Sequence, residues 1–316
     1  MHYINQHDIP LPLAVWLLHD EYDHKADPTY ISATTLLTPI KAIILSRRVD
    51  YDDIVMDISE LVSAKKGTAY HDSIEKAWKD PIHRTKALKA LGIPEKEIAK
   101  IDVNNADAQT PIFIENRSEK KIDGYTVTGK YDFIGDGILH DFKSTSAYTW
   151  VFGSMDEKYQ LQGSIYRWLN PDIIKSDFIR ICCIFTDWQQ NLARANKDYP
   201  QYQIKCKDIP LLSLAETERY IKQRIKLIDK YKDSDQDLIP RCTDEDLWRS
   251  ETKYKYYSKP DAARATKVFD TNAEAQRYLH QKKIGFVKEV KGEVKRCLRC
   301  PAYSICNQRR EYIPDV

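Results

Sequence analysis

Between Gly129 and Ser146 the chain reads GKYDFIGDGILHDFKSTS. Apolar and polar residues alternate before a Gly-Asp-Gly turn, which predicts a strand over 125–133, and a short, mostly apolar run after it predicts a central strand over 138–143. Side chains two apart on a strand share a face, so Asp141 and Lys143 point the same way. Asp132 closes the first strand nine residues before Asp141, and a hairpin of that size brings both carboxylates to one end of a sheet. Two hard oxygen ligands at one point suit Mg²⁺ or Mn²⁺. A lysine beside them can position a water or steady a developing negative charge. The same spacing also fits a plain hairpin whose Asp132 and Lys143 form an exposed ion pair.

The rest of the chain supplies layers for such a sheet. Ser32 or Thr34 can cap a helix with Leu36, Leu37, Ile40, Ile43 and Ile44 at the 3.6 period. Further helices are expected over 54–78, with a break near Gly67, and over 81–91, stopped by Gly92-Ile93-Pro94. The segment 111–120 alternates like a strand, with Asp123-Gly124 as the turn into 125–133. Helices follow over 156–169 and 213–231, and strands over 178–185 and 202–206. Helices, a strand meander, a helix and more strands predict an α/β core with a mixed sheet. Three segments are expected: an arm over 1–31, a core over 32–235 and a C-terminal segment over 236–316.

Two other spacings bear on the hairpin. Gly67, His71 and Glu75 fall at steps of four and share a helix face. His71 there could add a nitrogen ligand, or could be an ordinary surface histidine. Gln162 and Tyr166, also four apart, could bond phosphate or base edges, or could mark the boundary of an amphipathic helix.

Taken in order, Gly-x3-His-x3-Glu, Gly-x2-Asp, Asp-x-Lys and Gln-x3-Tyr make a far more specific series than any one of them. The series resembles the RecB-like branch of the PD-(D/E)XK nuclease superfamily, and within it the CRISPR-associated RecB-family and phage-encoded exonucleases. The resemblance covers roughly residues 32–190 and the C-terminal cysteines. It implies a mixed β-sheet flanked by helices, with His71, Asp132 and Asp141 as metal ligands and the Phe142 carbonyl as a further one. It makes Lys143 the catalytic lysine and sets Gln162 and Tyr166 against DNA. The implied reaction is metal-dependent hydrolysis of DNA phosphodiesters, on single strands or ends. Asp141 stands where many relatives carry Glu, which the superfamily pattern permits. An endonuclease or junction resolvase on the same fold, or a non-catalytic DNA-binding protein, are the alternatives. The second would be expected to lack one of His71, Asp132, Asp141 and Lys143, and none is missing.

Seven cysteines is an odd number for a disulfide framework, and the first residues carry no basic segment followed by an apolar one, so a cytoplasmic location is expected. Cys297, Cys300 and Cys306 form Cys-x2-Cys-x5-Cys, a spacing that wraps one soft metal centre. Structural Zn²⁺ and a [4Fe-4S] cluster both take four cysteines; three exposed thiols are the plain alternative. The triplet resembles that of iron–sulfur RecB-like nucleases, which implies the cluster. Those relatives carry the fourth cysteine ahead of the core. Here no cysteine precedes Cys182, and Pro39 and Lys41 occupy that region, so Cys242 is the substitute. Cys182, Cys183 and Cys206 fall on predicted strands and are expected to be buried.

Composition excludes other classes. With 42% hydrophobic and 30% charged residues the balance is globular, and a net charge of +2 is not that of a passive nucleic-acid coat. Basic residues do gather near the triplet: Lys288, Lys291, Lys295, Arg296, Arg299, Arg309 and Arg310. They suggest a wall for phosphates or a solvated face. Tyr254, Tyr256 and Tyr257 could stack on single-stranded bases. No apolar run approaches the length of a membrane span. No helicase motif is present, so unwinding would need a helicase or recombination partner. Polarity, strand preference and oligomeric state have no motif of their own.

Overall fold

The computed structural model describes residues 1–20, 25, 27–152 and 155–313. The expected arm over 1–31 thus falls partly outside the described residues. In chain order the elements are β1 (His2–Ile4), α1 (Leu11–Leu18), β2 (Tyr30–Ser32), α2 (Ala33–Leu36), α3 (Ile40–Ser46), β3 (Val55–Asp57), α4 (Val62–Lys79), α5 (Pro81–Ala90) and α6 (Glu95–Ile98). There follow β4 (Ile101–Val103), β5 (Thr110–Ile114), β6 (Arg117–Ile122), β7 (Tyr125–Lys130), β8 (Phe133–Gly135), β9 (Ile138–Thr145), α7 (Ala147–Phe152), α8 (Asp156–Leu169), β10 (Phe178–Phe185), α9 (Gln190–Ala195) and β11 (Ile204–Pro210). The last are α10 (Leu214–Tyr231), β12 (Lys253–Tyr257), β13 (Lys267–Phe269), α11 (Asn272–Lys282), β14 (Phe286–Val290) and α12 (Asn307–Arg310).

Contacts divide the chain into two compact units, one of Met1–Leu37 with Asp50–Lys226 and one of Thr38–Val49 with Leu227–Val316. The first unit is mixed α/β. Its main sheet has six strands in the order β11-β10-β9-β8-β5-β4, with β9 parallel to β10, β4 parallel to β5 and the other pairs antiparallel. A smaller sheet runs β2-β7-β6, and β1 pairs with β3. β10 reads FIRICCIF and buries every second side chain, from Ile179 through Ile181 and Cys183 to Phe185, as alternation requires. α8 lies over the main sheet, close enough that a Cβ on Gly163 would fall 2.9 Å from Ile179 Cδ1.

Several elements depart from the sequence reading. The helix expected from Ser32 onward is two. The Ser32 hydroxyl accepts from Thr35 N at 3.0 Å and caps α2, and Pro39, which lacks an N–H and disfavours helix at the residue before it, forces a fresh start at α3. The division between units falls in this break, so α3 groups with the C-terminal unit. The helix expected over 54–78 begins only at Val62 and continues through Gly67 without a break. Residues 55–57 ahead of it pair with β1 as a strand. α5 starts where Asp80 Oδ1 accepts from Ile82 N and His83 N, at 3.0 and 3.1 Å.

The largest departure concerns the meander. The two strands expected over 111–120 and 125–133 each break in the middle and pass from one sheet to the other. β5 ends at Ile114 and β6 begins at Arg117; β7 ends at Lys130 and β8 begins at Phe133. The breaks lie side by side, with Glu115 N bonded to Asp132 O at 3.1 Å and Tyr131 N to Asn116 O at 3.4 Å. Glu115 takes a left-handed backbone, φ 52°. Asn104 ties the corner by accepting from Ile114 N at 2.9 Å and from Asn116 Nδ2 at 3.0 Å. Beneath it Ile112, Ile114 and Phe133 pack with Trp78 and Phe142.

In the second unit β12 is the centre of an antiparallel sheet, β13-β12-β14, against which α11 packs. Tyr256 is buried there and donates from its hydroxyl to Ile284 O at 2.9 Å, and Tyr257 stacks on Phe286 at 5.3 Å. Tyr256 is therefore a core residue and offers no face to a base. No helix among the described residues is long and apolar enough to cross a membrane.

Candidate metal centre

The paired breaks in the meander aim two carboxylates at one helix. His71 lies on α4, which passes β9 closely enough that a Cβ on Gly67 would meet Ser144 Oγ at 3.5 Å. His71 Nδ1 stands 3.4 Å from Glu115 Oε1 and 3.4 Å from Asp132 Oδ1. One ligand atom from each of His71, Glu115 and Asp132 lies within 4.8 Å of the other two. The Phe142 backbone closes the group, with its carbonyl 3.2 Å from His71 Nε2 and its N–H donating to Asp132 Oδ2 at 2.7 Å. Each residue thus comes from a different element, and the corner between sheets is what joins them. Glu75, on the same face of α4 by spacing, instead pairs with Lys79 at 2.5 Å.

Charge in the group is nearly self-balanced. Hydrogen bonds donated by His71 to Asp132 and Glu115 push its imidazole up to about 10, against the effect of its burial. Burial works to raise the Glu115 carboxyl, but the bonds from His71 and Lys130 win and lower it. Lys130 Nζ sits 2.6 Å from Glu115 Oε2. An imidazole and two carboxylates are a donor set that could hold a divalent cation.

Asp141, expected as a metal ligand, stands beside this group and is not one of its three members. It is 1% exposed, and burial pushes its carboxyl up to about 6 while Lys143 opposes the shift and Asp132 adds to it. Lys143 Nζ lies 2.5 Å from Asp141 Oδ2, which has no other hydrogen-bonding partner among the described residues. Burial would lower the Lys143 ammonium, but Asp141 and Asp132 raise it above the usual lysine range, so it stays charged. The ion pair of Lys143 is therefore with a buried Asp141, not with an exposed Asp132. Gln162 and Tyr166 are both buried on α8; Gln162 Nε2 reaches Asp141 Oδ1 at 3.5 Å and the Tyr166 hydroxyl at 3.0 Å. They sit behind Asp141 rather than on an open face. Gly129 allows this approach, since a Cβ there would fall 2.7 Å from Tyr166 Cε1.

Sequence reasoning brought His71, Asp132, Asp141, Phe142 and Lys143 to one place and missed Glu115. The available signal was the pair Glu115-Asn116 directly after the apolar run Ile112-Phe113-Ile114: an acid and a turn former interrupting an alternating strand.

The second unit holds the other constellation. Cys242, Cys297, Cys300 and Cys306 line one cavity of about 30 Å³, together with Lys41 and Arg309. Gln308 clamps the Cys242 backbone, accepting from its N–H at 2.9 Å and donating to its carbonyl at 2.8 Å. The expected linker over 232–241 is tied in as well: Gln236 donates to Ile305 O at 3.0 Å and accepts from Asn307 N at 3.1 Å, and Lys41 Nζ donates to Gln236 O at 2.7 Å. Burial pushes the Cys242 thiol up to about 12, with Asp246 and the neighbouring thiols adding to the shift. The remaining cysteines lie on the sheet of the first unit. Cys183 is buried as expected, but Cys206, on the edge strand β11, is exposed, and Cys182, its register partner on β10, shares that face of the sheet and is half-buried. Of the basic residues near the triplet, Arg309 is buried and bonds Tyr303 O and Ile313 O at 2.9 and 3.0 Å, so it belongs to the core and not to a surface wall.

No protein-family model matches the chain, and no curated protein matches it. The solved structure described as "Crystal structure of SSO0001" is similar over 68% of this chain and 84% of its own, with 17% sequence identity and a TM-score of 0.41.

Proposed function

We propose that the chain is a metal-dependent DNA exonuclease acting on single strands or ends, with a PD-(D/E)XK core of the RecB-like kind. The observation that carries this reading is the cluster of His71, Glu115 and Asp132 within 4.8 Å, set beside the buried Asp141–Lys143 pair. A divalent cation held by His71, Glu115 and Asp132 supplies Lewis acidity toward a phosphate oxygen. Lys143, which stays an ammonium, steadies the negative charge that develops on the phosphate. Asp141 orients Lys143, and Gln162 and Tyr166 hold Asp141 in place. Lys130 keeps Glu115 ionised and so ready to ligate.

The four cysteines about one cavity are read as the ligands of a [4Fe-4S] cluster, with structural Zn²⁺ as the alternative. Lys41 and Arg309 at the same cavity offset the charge of four thiolates. The centre would staple Cys242 to the C-terminal triplet.

End-labelled linear and circular single-stranded DNA, each with Mg²⁺, Mn²⁺ or EDTA, test the activity. Metal-dependent loss of the linear strand alone is expected, and Lys143→Ala is expected to lower the rate at least a hundredfold while the protein stays folded. Cutting of the circle would make the protein an endonuclease. Wild-type rates in Lys143→Ala would overturn the assignment.

A further inference from the structure

The face of the main sheet that carries Asp141 and Lys143 continues outward to the edge strand. In the parallel register of β9 and β10, Asp141 lies opposite Ile181 and Lys143 opposite Cys183. In the antiparallel register of β10 and β11, Ile181 lies opposite Lys207 and Cys183 opposite Lys205. Register partners share a face, so Lys143, Lys205 and Lys207 project to the same side. Strands spaced about 4.8 Å apart put Lys205 roughly 10 Å from Lys143 across the sheet.

Two aromatic rings bridge these lysines. Lys205 Nζ and Lys207 Nζ lie 5.1 and 5.4 Å from the ring centre of Trp150, on α7. Lys207 Nζ is also 6.0 Å from the Tyr159 ring, on α8, and Lys143 Nζ is 5.8 Å from the same ring. Cation and ring therefore alternate without a gap: Lys205, Trp150, Lys207, Tyr159, Lys143. Trp150 is held edge-on against Phe185 at 5.7 Å, which fixes its plane. Lys205 is exposed and has no carboxylate partner among the described residues. Lys207 pairs with Asp156, which is more than half exposed, and an exposed ion pair of this kind exchanges readily for phosphate.

We propose that this series is the path by which a single DNA strand reaches Lys143, with bases stacking on Trp150 and phosphates bonded by Lys205 and Lys207. The proposal rests on the nuclease reading for what happens at Lys143, but not for the binding itself. A single strand fits and a duplex does not, because base faces are free to meet an aromatic ring only when unstacked from their neighbours. Lysines between rings then neutralise the phosphates that link successive bases, and no base edge is read, so the path is indifferent to sequence.

The test is binding of a fluorescein-labelled oligothymidylate to the full chain in EDTA, over a salt series. Lys205→Gln with Lys207→Gln should reduce the slope of log affinity against log salt by about 1.4, the value for two phosphate contacts on a single strand at about 0.7 each. Trp150→Ala should weaken binding about tenfold or more, and Trp150→Phe should restore most of it. A blunt duplex of the same length should not respond to Trp150→Ala. The path is overturned if the variants bind with wild-type affinity and slope, or if the wild type does not bind the strand. Cleavage with Mn²⁺ is scored separately. Variant-sensitive binding without cleavage by the wild type would sink the nuclease reading and leave the path standing. Metal-dependent cleavage with no effect of the variants would do the reverse.

Discussion

At the scale of single residues, His71 decides how the site behaves without metal. Its imidazole is raised from 6.5 to about 10 by Asp132 and Glu115. A group whose pKa rises on folding stabilises the fold fully below its unfolded value and loses that contribution as the pH climbs through its folded value. The metal-free protein should therefore melt a few degrees lower at pH 10 than at pH 6.5, a loss that His71→Gln removes. Thermal melts in EDTA check this; equal pH dependence in the two proteins would contradict it. A divalent cation takes the neutral imidazole, so metal binding must expel that proton and should tighten over the same range. His71, Asp141 and Lys143 were legible because each sits at a fixed helical or strand spacing, and Asp132 because it falls one hairpin before Asp141, although it lies in the break between β7 and β8 and not on a strand. Glu115 was not, because an unbroken strand through 111–120 would have placed it by simple alternation, with no reason to meet Asp132. Gln162 and Tyr166 were legible as a pair on one helix face, but spacing cannot say that this face turns inward to Asp141.

At the scale of elements, the residue pattern located β10 and α8 to the residue and the start of β9, and placed β11 too early, over 202–206 instead of Ile204–Pro210. It failed where two strands change sheets together, since the Glu115 and Asp132 breaks are stabilised by each other and by Asn104, all distant in sequence. It also failed for α2 and α3, where Pro39 outweighs the apolar period. The register of β10 with β11 makes a sharp prediction of its own. Phe185 N bonds Gln203 O at 2.9 Å and Leu211 N bonds Asp177 O at 2.7 Å, which makes the odd positions of β10 the hydrogen-bonded ones. Cys182 opposite Cys206 is then a non-hydrogen-bonded pair, with Cα atoms about 4.5 Å apart and within the span of a disulfide. A mild thiol oxidant should join Cys182 to Cys206 and leave Cys183 free, as peptide mass mapping would show. A Cys183–Cys206 link would mean that the strands are slipped by one residue.

At the scale of the whole molecule, the two candidate sites fall in separate units, the His71, Glu115 and Asp132 group in one and the cysteine cavity in the other. The C-terminal boundary was only half legible. Cys-x2-Cys-x5-Cys marks a candidate metal centre, but nothing local shows that α3, about 250 residues before the triplet by sequence number, contributes Lys41 to the wall of the cavity. Cys242→Ser should strip the centre: an iron–sulfur preparation would lose its absorbance near about 400 nm and its iron, and a zinc one its zinc. Full metal content in that variant would remove Cys242 from the ligand set.

In the proposed enzyme, the corner at Glu115 and Asp132 joins His71 to build the metal site for DNA cleavage. Glu115→Gln tests it most directly, because it keeps the shape and removes one ligand charge. Mn²⁺ affinity and Mn²⁺-dependent degradation of end-labelled single-stranded DNA should both fall about tenfold or more, while the protein in EDTA stays folded and loses only the few degrees that its contacts with His71 and Lys130 supply. Unchanged affinity and unchanged degradation in Glu115→Gln would contradict the account.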